Sequence, residues 1–166
     1  MAPACPSVQC LGVAMDDYTK DPSEWRMSSE CMFLGAIKLF QSKNYLVWFP
    51  AAVLGHLALE QLLKSAVIQA GCPVTKGRPQ NGHAWGHSLL ALAQLLRSKR
   101  RDFPADVLKD DLAVFDAYHD ELRYPQTVER VQELGAEEGT LLSSLMEIIR
   151  LYAAPLPEQW RKEGQP

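Results

Sequence analysis

The chain has 166 residues, of which 47% are apolar and 22% charged, and its formal net charge is -3. That balance describes one globular domain large enough to bury a core and excludes a disordered chain. The small negative charge excludes a broad nucleic-acid or anionic-membrane surface, while a local basic patch remains compatible with it.

Residues 1–20 contain prolines and two cysteines but no helical period, and are expected to be a loose lead-in. They have no positive start and no sustained apolar run, so no signal peptide is expected. Cys5, Cys10, Cys31 and Cys72 lack the paired short spacing of a zinc ribbon or redox motif. With no secretory signal they are expected to be reduced thiols of a cytoplasmic protein. The longest uninterrupted apolar run, Tyr45 to Gly55, is too short to span a bilayer, so a soluble protein without a membrane partner is expected.

Asp21-Pro22 is a helix start, with a capping carboxylate followed by a proline in the first turn. Trp25, Met32, Ala36, Leu39 and Phe40 then recur at helical spacing as far as about Ser42. The short break at Lys43-Asn44 favours an antiparallel neighbour. That neighbour, from Phe49-Pro50 to about Ala70, is apolar nearly all round and is predicted to be the central helix. Pro50 suits its first turn and Gly71 suits a left-handed C-cap.

Residues 71–86 are rich in Gly and Pro and are expected to form an exposed connection. His87 or Ser88 opens a third helix carrying Leu89, Leu92, Ala93 and Leu96, which closes on the cations from Arg97 to Arg101. Pro104 opens a fourth helix with Leu108, Leu112, Phe115 and Leu122 as its stripe, and Pro125 stops it. After a charged loop, Leu141, Leu145, Ile148, Ile149 and Tyr152 line a last helix that Pro155 ends. The predicted fold is all-α: an up-and-down antiparallel bundle of four to five helices over residues 21–155, with a polar tail over 156–166.

His56, Glu60 and Lys64 follow one another at intervals of four and share one stripe of the central helix. Such a stripe can move protons or hold a metal, or it can be a helix face with Glu-to-Lys pairing in the orientation that stabilises helices. A di-iron bundle needs Glu-x-x-His on two helices, and the chain contains no such sequence. His83 and His87 are also four apart, but beside glycines and a helix start, where His87 is expected to bond backbone. No metal and no cofactor are expected. The Arg97–Arg101 cluster can hold phosphate or simply match the helix end, with Asp102, Asp110 and Asp111 diluting its charge. No Walker-type phosphate loop or nucleophile elbow is present, and nothing near Cys72 marks an activated thiol. Arg123-Tyr124-Pro125 places a guanidinium fork and an aromatic face at a helix exit, which suits a phosphate or a base as well as it suits a helix stop.

Three stretches together resemble the HEPN family. They are Gly55-His-Leu-Ala-Leu-Glu-Gln-Leu-Leu-Lys64, Gly86-His-Ser-Leu-Leu-Ala-Leu92 and Glu121-Leu-Arg-Tyr-Pro125. The resemblance runs over about residues 23–153 and implies a compact helical bundle, a homodimer and a nucleotidyltransferase partner or a toxin–antitoxin setting. It further implies nucleotide or RNA binding, with Lys64, His87, Arg123 and Tyr124 as contacts. The family's ribonuclease branch looks like a metal-independent enzyme using an Arg followed four to six residues later by His. No histidine follows Arg123, so the expectation is a non-catalytic binding protein. The alternatives are a ribonuclease with a displaced histidine, His119 or His87, and a dimerisation or adaptor module without a small ligand.

Overall fold

The computed structural model describes residues 21–72, 86–121 and 134–153. They form α1 (Pro22–Gln41), a 3-10 turn (Tyr45–Val47), α2 (Trp48–Gln69), α3 (Leu89–Lys99), α4 (Ala105–Glu121) and α5 (Ala136–Ala153). No strand occurs among the described residues, and the architecture is the predicted all-α bundle.

Local chemistry sets most of the helix ends. The Asp21 carboxylate accepts from the Ser23 amide at 2.8 Å with Pro22 in the first turn. Lys43 adopts φ 57, and Asn44 caps the 3-10 turn by accepting from the Leu46 amide at 3.1 Å. This turn leads into α2 at Trp48, so Pro50 still lies within the first helical turn. At the other end Gly71, at φ 80, supplies the left-handed residue that lets the chain leave. Ser88 caps α3 through the Ala91 amide at 3.2 Å.

The last helix begins earlier than its apolar stripe indicates. Ala136 to Thr140 belong to α5, although the charge of that stretch predicts a loop. Glu137 and Glu138 are acidic residues in a first turn, where the partial positive charge of the helix end favours them. Glu138 also reaches back to accept from the Gly135 amide at 2.7 Å. α3 in turn stops at Lys99 instead of running to Arg101.

α1 lies antiparallel to α2: Ser65 donates to the Pro22 carbonyl, Ser29 to the Ala58 carbonyl, and the Trp48 indole to the Phe40 carbonyl. Trp48 and Phe49, at the entry to α2, are half-buried against the core. α5 is antiparallel to α1, with Arg150 paired to Glu30 at one end and Gly139 against Phe40 at the other. α2 touches each of the other four helices and contributes the largest share of the core. By length and composition alone the stretch Tyr45–Gln69 could also cross a membrane, contrary to the run-length reading. Here half of that window is buried inside the protein, with Leu59, Leu62, Leu63 and Val67 fully enclosed in the core. Gly55 marks the tightest approach, since a Cβ there would lie 2.9 Å from Phe115 and 3.2 Å from Leu142.

Candidate functional site

The polar stripe of α2 is buried. His56 is 0% exposed, Glu60 4% and Lys64 9%, and the Glu-to-Lys pairing of the stripe is present. α2 has helices on most sides, and each polar side chain in the stripe must therefore find its partner inside the protein. Lys64 donates to Glu60 Oε1, and its ammonium lies 5.3 Å from the ring centre of Trp25.

The other carboxylate oxygen of Glu60 lies 3.1 Å from His87 Nδ1. His87 thus bonds a side chain of α2 where backbone was expected, and its own side chain is 62% exposed. Burial works to raise the pKa of Glu60. The hydrogen bond and charge of Lys64, followed by those of His87, outweigh it and hold the carboxyl below its ordinary value.

α4 supplies two residues that spacing did not single out as partners of this stripe. Asp116 Oδ1 lies 3.3 Å from His56 Nε2 and accepts from the Leu89 amide at 2.7 Å. Its second oxygen accepts from the Leu90 amide at 3.2 Å and the Ser88 hydroxyl at 3.1 Å. One carboxylate therefore caps α3 from a different helix and anchors the ring of His56. Burial raises the Asp116 pKa, but the bonds from His56, Leu89, Leu90 and Ser88 prevail and lower it.

His119, one turn after Asp116, inserts its ring between the other two imidazoles. It stacks on His56 at 4.3 Å between centroids and on His87 at 4.9 Å, with interplanar angles of 25° and 27°. Three of the chain's four histidines therefore form one stack, backed by Glu60 and Asp116. His56 Nδ1 is buried without a hydrogen-bond partner among the described residues, 3.9 Å from Glu60 Oε2. No group of three or more His, Cys, Asp and Glu among the described residues suits a metal ion.

Of the four predicted contacts, the structure joins Lys64 and His87 through Glu60. Arg123 and Tyr124 lie outside the described residues, as do His83, Leu122 and Pro125. Two of the cations in the Arg97–Arg101 cluster are engaged by carbonyls after α3 and in the last turn of α5. Arg97 donates to the carbonyls of Arg101 and Phe103, and Arg100 donates to the Tyr152 carbonyl at 2.5 Å and meets Asp102 at 3.4 Å. Cys72 is a buried free thiol. A cleft of about 250 Å³ between the end of α1 and the start of α5 is lined by Ile37, Phe40, Gly139 and Ser143 among others, and contains no titratable side chain.

No protein-family model, curated protein or solved structure matches this chain.

Proposed function

We propose that this protein is a HEPN-like binding module that takes a nucleotide or a short RNA segment at the histidine cluster and performs no chemistry on it. One observation carries this reading: three imidazoles from separate parts of the chain stack over a buried Glu60–Lys64 pair, and only His87 opens widely to solvent. Apolar side chains would fill the interior of α2 at least as well as a buried ion pair, so a polar cluster there points to a role besides stability. The exposed His87 ring offers a stacking face for a base, and imidazole N–H groups can donate to phosphate oxygens. Arg123 follows His119 by four residues and adds a phosphate fork in this proposal. The setting proposed is the cytoplasm, beside a nucleotidyltransferase or in a toxin–antitoxin pair.

Calorimetric titration with ATP and with a short single-stranded RNA tests the reading. Binding should weaken at least about tenfold, a change of about 1.4 kcal/mol, in His87→Ala and Arg123→Ala. Lys99→Ala, at the opposite end of α3, should leave it unchanged. Absence of binding by the wild type, or equal weakening by all three variants, contradicts it.

The hydrogen bond from His56 to Asp116 favours a second reading, a ribonuclease with a displaced histidine, because it orients a ring that stacks on His119. Cleavage of RNA in the presence of a chelator, lost in His119→Ala, would select this reading over binding alone.

A further inference from the structure

The two ring nitrogens of His87 have different surroundings. Nδ1 lies 3.1 Å from Oε2 of Glu60, a side chain only 6% exposed. Nε2 forms no hydrogen bond among the described residues, on a side chain that is 62% exposed. Burial works against ionising Glu60, but Lys64 and then His87 keep its carboxyl below the ordinary value, so it is charged at neutral pH. An ionised carboxylate only accepts hydrogen bonds. The hydrogen between the two side chains therefore belongs to Nδ1, whether the ring is neutral or charged. A neutral imidazole has a single N–H, so Nε2 is then a bare acceptor. Only the doubly protonated ring offers an N–H at both nitrogens.

This tautomer decides what the exposed edge can take. A phosphate oxygen is also an acceptor, and at the neutral ring it meets lone pair against lone pair. The charged and titratable groups around His87 do not remove that opposition. From α2 they are Glu60, Lys64 ion-paired to it, and His56 on the far side of the stack. From α4 they are His119 in ring contact at 4.9 Å, Asp120 beside His119, and Asp116 bonded to the adjacent Ser88. The start of α3, capped by Ser88, adds a partial positive charge. No hydrogen bond, ion pair or ring contact joins His87 to α1 or α5 among the described residues. Glu60 and Asp116 outnumber the one ammonium of Lys64, so an anion gains little here while the imidazoles are neutral.

We propose that the cluster takes a phosphodiester together with one proton, which charges His87 and lets its ring bridge Glu60 Oε2 and a phosphate oxygen. This rests on the binding reading given above and names what controls that site. The proton comes from solvent, forms the Nε2–H bond and returns to solvent on release; no covalent bond of the ligand changes. Binding is therefore present at the acid side of the interval of about pH 5 to 8 in which histidines charge, and is lost as pH rises through it.

A short oligouridylate without terminal phosphates is the probe, because its phosphodiesters keep a constant charge over that interval. Calorimetric titration at about pH 6, 7 and 8, each in two buffers of different ionisation enthalpy, gives the affinity and the protons taken up. The wild type should lose about tenfold in affinity per pH unit on the alkaline side, with about one proton taken up per RNA. His87→Gln keeps a polar side chain at this exposed position but cannot charge, so its affinity should vary by less than about twofold. Imidazole nitrogen resonances of the RNA-free protein at about pH 8 should show His87 protonated at Nδ1 and bare at Nε2. RNA bound equally well at every pH overturns the coupling and leaves the binding reading standing. So does a pH dependence that His87→Gln retains, or a neutral His87 protonated at Nε2. Absence of RNA binding at every pH overturns both.

Discussion

Asp116 illustrates how much one side chain can organise. Its carboxylate receives the Leu89 and Leu90 amides, the Ser88 hydroxyl and the ring of His56, and so fixes the start of α3 against α2. Asp116→Ala should lower stability by about 2–3 kcal/mol in chemical denaturation, because it removes an ionised acceptor from several buried donors. Ser88→Ala removes only the local cap and should cost about 1 kcal/mol. Glu60 and Asp116 both have pKa values below their ordinary ones when folded, so the unfolded chain binds protons more readily than the folded chain. Their contribution is therefore full above the ordinary carboxylate range near about pH 4 and is lost as pH falls through and below it. Urea midpoints should fall on the acid side, and Asp116→Asn should flatten that decline. Among the residues of the cluster, His56, Glu60 and Lys64 were legible from their spacing alone. Asp116 was not, because its partners lie 26 to 28 residues earlier on another helix and 60 residues earlier on α2. A signal was nonetheless present: Asp116 and His119 are three apart on α4, an acid and an imidazole directly beside the apolar residues Phe115 and Tyr118.

At the scale of elements, the ends set by local chemistry were the ones readable in the chain. Asp21-Pro22, Gly71 and Ser88 act within a few residues of themselves, and the structure uses each as the sequence implies. The start of α5 was not legible from apolar spacing, because Gly139 and the acidic pair before it resemble a loop until Phe40 packs on that glycine. The crossing of α2 with α4 and α5 depends on Gly55, where a methyl group would meet Phe115 at 2.9 Å and Leu142 at 3.2 Å. Gly55→Ala should therefore destabilise by about 1–3 kcal/mol despite its better helix propensity. Comparison of its denaturation midpoint with that of an exposed control such as Ser98→Ala separates packing from propensity.

The whole molecule places its most polar interior in its most apolar helix. Composition and period were sufficient for an all-α bundle with a central α2, since both follow from averages over many residues. They could not reveal that the stripe is closed from solvent, because that depends on where α3 and α4 dock. The cleft between α1 and α5 has no titratable side chain, whereas the histidine cluster combines buried charge, an exposed ring and a buried ring nitrogen without a hydrogen-bond partner among the described residues. The central claim is that this cluster holds a nucleotide or RNA. Thermal melts of the wild type with and without millimolar-range ATP or a short RNA test it most directly. At ligand about one hundredfold above its dissociation constant, the folded state should gain about 2.7 kcal/mol and the midpoint should rise, with the gain lost in His87→Ala. An unmoved wild-type midpoint with both ligands, or a rise that His87→Ala retains in full, would contradict it.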